Sequence, residues 1–136
     1  MGMDQSVAFA EAAMPSWSAA RDLLAGLGYP VQVRMIDGEL AFPDEEPPEE
    51  WRELRIAAPE GMVTLRRSGA IITFVTWGNA EAGLRQAFNA LTWAFAQVGS
   101  GKVHKGQETV DAGTFRRTAE LPALLQAKAD DGSANR

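Results

Sequence analysis

The chain contains no cysteine, and only one of its 136 residues is a histidine. Without cysteine there can be no disulfide, no thiolate nucleophile and no cysteine-ligated zinc or iron–sulfur site. A single histidine also excludes the HExxH zinc motif and any metal site that needs two histidines from one chain. We therefore name no catalytic, cofactor-binding or metal-ligating residue, and we expect a protein that needs no cofactor.

Long apolar runs are also missing. No run approaches the roughly 20 apolar residues that a membrane-spanning helix needs, and residues 1–15 lack the basic start and apolar stretch of a signal peptide. We expect a cytoplasmic protein without a membrane anchor. The length suits one domain. We assign residues 1–128 to this domain and expect the polar tail of residues 129–136 to be mobile.

Negative charge is concentrated in one segment. The net charge is −5, but eight acidic residues and one base lie between Asp37 and Glu53, so this stretch carries −7 and the rest of the chain +2. Residues 44–50 lack the ligand order and central glycine of a calcium-binding loop. We interpret them as a solvated loop that keeps neighbouring strands from associating, with docking of a basic partner as the alternative.

Apolar spacing predicts two long helices. Ser16 is a typical N-cap for a helix over residues 17–27, and Gly28 is placed to end it. Asn79 is the predicted N-cap of a second helix that runs to about Val98, with Trp93 on the side opposite its apolar line. We interpret the glycine-rich residues that follow, including His104, as a solvated loop, and residues 114–128 as a short C-terminal helix.

Alternating apolar and polar residues predict five strands between the two long helices, at residues 31–36, 39–42, 51–57, 62–67 and 70–77. A turn at Asp37-Gly38 pairs Met35 with Leu40 and Val33 with Phe42. Turns at residues 58–61 and 68–69 place six apolar residues on one face of the sheet, with Leu65 opposite Ile72: Leu54, Ile56, Val63, Leu65, Ile72 and Phe74.

These elements predict a two-layer α+β domain. Its five-stranded antiparallel meander sheet carries the N-terminal helix and the long C-terminal-half helix on one face, followed by the short C-terminal helix. One alternative remains open for the start of the third predicted strand, at residues 51–57. Residues 48–54 also suit a helical turn, because proline followed by two glutamates is a typical helix start.

The sheet face opposite the predicted core has an unusual composition. It combines tryptophan, arginine, methionine, isoleucine and valine, a mixture typical of surfaces where proteins bind each other. Together with the second helix, the candidate interaction surface comprises Trp51, Arg55, Met62, Arg66, Ile71, Val75, Trp77 and Trp93. Three occupants of the sheet face remain open: the C-terminal segment, a protein partner or second copy, and single-stranded nucleic acid, which the absence of lysine disfavours.

In size, acidic charge and order of elements the chain resembles the type III secretion chaperones. It departs from their pattern because they place a helix within the run of strands, where this chain has an acidic loop. The resemblance implies a dimeric binding module. We therefore expect a non-enzymatic domain that binds itself or a protein partner. The alternative is a small-molecule binder or enzyme with a pocket between sheet and helices, near Thr76, Trp77 and Asn79.

Overall fold

A computed structural model describes residues 3–10, 14–42, 44–76 and 81–126. Within them an antiparallel sheet carries helices, as the sequence predicts. The elements in chain order are β1 (Met3–Ala8), α1 (Trp17–Gly26), β2 (Gln32–Ile36), β3 (Glu39–Leu40), β4 (Glu53–Ala58), β5 (Gly61–Ser68), β6 (Ile71–Thr76), α2 (Ala82–Gly99), β7 (Lys102–Lys105), β8 (Glu108–Asp111) and α3 (Ala112–Thr118), followed by a 3₁₀ turn at Ala123–Leu125.

In the described ranges of the chain the sheet has eight strands, in the order β3-β2-β4-β5-β6-β1-β7-β8. The sequence predicts only five, because β1, β7 and β8 carry weak signals. β1 is inserted between β6 and β7, and its inward residue Gln5 breaks the apolar alternation. The prediction of a simple meander is also wrong, since β4 pairs with β2 rather than with β3.

Glycines between α2 and β7 allow β1 to pack closely, so these residues are not the solvated loop that the sequence suggests. A side chain at Gly99 would lie 2.6 Å from the Phe9 ring, and one at Gly101 would lie 2.5 Å from Val7. β7 then continues into a hairpin with β8, and His104 is a strand residue. The glycines are needed for close packing, which composition alone did not reveal.

The register of the sheet agrees with the prediction in part. Leu54 pairs with Leu65 as predicted, whereas Leu65 pairs with Phe74 instead of Ile72 because the turn lies at residues 69–70. A shift of two residues leaves the same side chains in the core. An irregularity at Arg34 has a larger effect, since it places Met35 level with the outward Arg55 and thus on the face opposite Val33.

Both long helices pack on one face of the sheet. Ser16 caps α1 as predicted, its hydroxyl accepting the N–H of Ala19 at 3.1 Å. The Phe95 ring of α2 links the layers, with its centroid 6.2 Å from that of Trp17 on α1 and 5.6 Å from that of Phe74 on β6. The predicted cap of α2, Asn79, lies outside the described residues.

The C-terminal segment covers α2 rather than the outer face of the sheet. In this segment the side chains of Phe115, Leu121 and Leu125 are buried and join the main core. The guanidinium of Arg116 lies 4.8 Å from the ring centroid of Trp93, and its Nε donates to the carbonyl of Leu125. The predicted tail, residues 129–136, lies outside the described residues.

An exposed turn residue, Asp37, anchors the start of β4. Asp37, in a left-handed conformation beside Gly38, accepts the N–H of Arg52 at 2.7 Å and that of Glu53 at 2.8 Å. These two bonds hold the pKa of the Asp37 carboxyl below its usual value, the Glu53 bond contributing most. The hairpin turn thereby determines where the chain enters the central sheet.

Replacing Asp37 with Asn tests this anchor. Asn tolerates the left-handed backbone and still accepts hydrogen bonds, but without the charge that strengthens them. Folding lowers the pKa of Asp37. The stability that the Asp37 charge adds is therefore present above the pKa of the unfolded state, near 4, and is lost as the pH falls through the lower pKa of the folded state. We expect D37N to lose about 1 kcal/mol at pH 7.

Urea denaturation at pH 7 and pH 3 measures this effect. The stability difference between D37N and the wild type should narrow at pH 3. A difference that stays constant between the two pH values contradicts a role for the charge.

Candidate interaction surface

The outer face of the sheet, which points away from the helices, is centred on β5 and β6, the fourth and fifth strands of eight. We call their outward side chains the central patch. Three of the six are apolar, two are threonines and one is charged. The central patch consists of Met62, Thr64, Arg66, Ile71, Thr73 and Val75.

Exposure varies within the central patch. Met62 and Ile71 are 45% and 43% exposed, whereas Thr64 and Val75 are only 5% and 8% exposed. No helix of the described chain packs on this face, and Thr64 lies directly opposite Val75 on the neighbouring strand. The middle of the patch is therefore a closely packed surface with two exposed apolar side chains at its ends.

Polar residues flank the central patch on both sides. On β4, Glu53 accepts from the Nε of Arg66 at 3.2 Å, while Arg55 forms no ion pair with any residue that the structure describes. On the other side, the ring of His104 lies 2.9 Å, Nδ1 to Oγ1, from Thr109. A mixture of apolar and polar side chains surrounded by a polar rim is compatible with a protein interface.

Five of the eight predicted surface residues lie on this outer face: Arg55, Met62, Arg66, Ile71 and Val75. The placement follows from the two-residue alternation of the strands. Trp77 lies outside the described residues. The remaining two, Trp51 and Trp93, do not lie on an exposed surface.

Trp51 is 2% exposed and contacts the helix side of the sheet. The strand prediction fails here because residues 48–51 form a turn, in which the Trp51 N–H donates to the Pro48 carbonyl, and β4 begins only at Glu53. The Trp51 ring instead stacks under the guanidinium of Arg67, 4.9 Å from the ring centroid. Arg67 pairs with the core residue Ile72, which places both side chains on the inner face.

Trp93 is also 2% exposed, so the exposed patch predicted on α2 is wrong. The helix periodicity placed Trp93 correctly on the side away from the sheet, but the C-terminal segment covers it. The burial of Trp93 explains how that short segment gains enough apolar contact to fold. Its indole Nε1 has no hydrogen-bond partner among the described residues.

A surface cleft of about 640 Å³ lies between the start of α1 and the acidic loop. Pro15, Pro48 and Trp51 contribute apolar lining, and Arg67 and Glu49 contribute charges of opposite sign. An ion pair between Arg21 of α1 and Glu46, 2.8 Å long, holds the acidic loop against the helix layer. The cleft is therefore close to neutral and is bounded on one side by a tethered loop.

The inner region around Thr76, where the sequence suggests a pocket, contains a buried polar network. The amide of Gln5 donates to the Asn89 Oδ1 at 2.8 Å and to the Thr92 hydroxyl at 2.9 Å, and the Asn89 amide donates to the Glu120 carbonyl. The Thr76 hydroxyl is fully buried and has no partner in the described chain. These hydrogen bonds connect β1, α2 and the C-terminal segment, so the polar groups have a structural role. Trp77 and Asn79 lie outside the described residues.

Comparison with known proteins supplies no function. No protein-family model, curated protein or solved structure matches the chain. The resemblance to type III secretion chaperones thus gains no support. In the part of the chain that the structure describes, no group of three or more histidine, cysteine or acidic residues could hold a metal, and no helix is long and apolar enough to cross a membrane.

Replacing Trp93 with Ala tests its assignment to the core. Loss of a fully packed indole leaves a cavity and should lower the free energy of unfolding by about 3–5 kcal/mol. The exposed Leu124 of the same segment, which is 59% exposed, is the matched control. We expect Leu124→Ala to change the stability by less than about 1 kcal/mol.

Urea denaturation monitored by circular dichroism measures both variants. Equal stabilities of W93A and the wild type would show that the C-terminal segment does not cover the indole.

Proposed function

We propose that this protein is a non-enzymatic interaction module that binds another protein chain through the outer face of its sheet. The observation that carries the proposal is the central patch, which exposes two apolar side chains, Met62 and Ile71, on a face that no described helix covers. Binding would remove the exposed parts of Met62 and Ile71 from water, which is the main favourable term in most protein association.

The polar rim supports the same proposal. Arg55 and Lys102 are exposed on opposite sides of the central patch, where they can exclude wrong partners more than they add affinity. The extended backbone of β5 and β6 is held on both sides by neighbouring strands. The surface is therefore rigid before binding, which reduces the entropy lost on association.

A cytoplasmic location is part of the proposal. It agrees with a chain that has no cysteine to oxidise, and an interaction module of this kind would meet its partner in that compartment.

Binding of a small molecule is a second candidate function, and the cleft beside Trp51 favours it. Its volume of about 640 Å³ falls within the range of ligand pockets. The two tryptophans that line it are each only 2% exposed, however, so they offer little free aromatic surface to a ligand. The outer face therefore remains the better supported site.

A photo-reactive amino acid in place of Thr73, at the middle of the central patch, tests the proposal. We expect light to link the protein to another chain in host cells and mass spectrometry to identify that chain. Ile71→Asp should reduce the product at least tenfold, because it places a charge at the apolar surface. Phe42→Asp is the matched control, since Phe42 is 75% exposed and lies outside the patch.

Equal crosslinking in the Ile71 and Phe42 variants would contradict the proposal. So would the absence of any crosslinked chain.

A further inference from the structure

We infer that the partner is a second copy of this chain, which docks outer face to outer face around a two-fold axis. The inference rests on the proposed function and adds the identity of the partner and the geometry of binding. Three features of the described residues support it: the area of the face, the distribution of charge and the nature of the sheet edges.

The area of the outer face suits a stable dimer. The described strands contain 41 residues in total, and about 3.3 Å per residue with about 4.8 Å between strands gives a face of roughly 650 Å². Stable interfaces bury about 800 Å² on each partner. Two sheets can pack face to face at a separation of about 10 Å, which is close enough for side chains from both to interdigitate.

The charge distribution favours contact between two outer faces. The protein carries −5 overall, but on the outer face two described acids, Glu53 and Asp111, lie among three bases, Arg55, Arg66 and Lys102. The acidic loop is tethered to α1, on the opposite side of the sheet. Two copies can therefore bring their outer faces together while these loops remain apart.

The order of charges along β4 is self-complementary. Glu53 and Arg55 are two residues apart and point to the same face, level with Arg66 and Thr64 respectively. A two-fold axis that crosses the strands between these two levels places Arg55 of each copy opposite Glu53 of the other. The contact is made twice, as an isologous interface requires.

The edges of the sheet do not offer an equivalent contact. One edge, β3, has only two residues. The other edge, β8, has only four residues, and it carries the charged side chains of Glu108 and Asp111. Short, charged edge strands are typical protection against edge-to-edge association. Pairing of copies through their faces is therefore the favoured arrangement.

Charge reversal tests both the partner and the axis. In E53R the two symmetric contacts become Arg against Arg, and in R55E they become Glu against Glu. We expect each variant alone to dimerise at least tenfold more weakly than the wild type. An equimolar mixture should form a heterodimer, because each contact then joins Arg to Glu. Arg117→Glu, an exposed reversal on α3, is the control and should dimerise normally.

Analytical ultracentrifugation of the full chain from 1 to 200 µM gives the dissociation constants. The dimer of wild type and the complementation of the two variants support the inference. A monomeric wild type, or a mixture that associates no better than its components, overturns it. In either case the proposed function still stands if Thr73 crosslinks to a different protein and Ile71→Asp abolishes that product.

Discussion

The structure depends on a layer of helices that covers one face of a broad sheet. Phe95 of α2 contacts both Trp17 of α1 and Phe74 of β6, and through it the inner face is joined into one core. Of the described helices, α3 packs on the other side of α2, where the guanidinium of its Arg116 covers the ring of Trp93. No described helix covers the outer face, and its side chains must be compatible with water, a partner or both.

Local patterns predicted the elements whose burial follows a regular period. The six core residues of β4 to β6 are all fully buried, even though the pairing of β5 with β6 is shifted by two residues from the predicted register. Side chains alternate between the two faces of a strand, so a shift of two residues in the strand pairing leaves the same side chains in the core. For the same reason, five of the predicted surface residues are on the outer face.

The errors occurred where a long-range contact overrides the period. β1 is held by strands that are distant in sequence, and its inward Gln5 is satisfied by Asn89 and Thr92 on α2. Trp51 lies next to Arg52, whose backbone N–H donates to the carboxylate of Asp37, fifteen residues earlier in the chain. The covering of Trp93 depends on a segment more than twenty residues later. None of these contacts leaves a local signature in the chain.

The fold shows where part of the net charge of −5 lies on the molecule. The acidic loop is tied to α1 by the pair between Arg21 and Glu46, so the charge of Glu46 lies on the helix side of the molecule. Two copies that approach with helix layers facing repel each other, whereas two that approach with the nearly neutral outer faces do not. In the dimer that we propose, charge would therefore select the orientation of the encounter, and Met62 and Ile71 of the central patch would supply the affinity after contact.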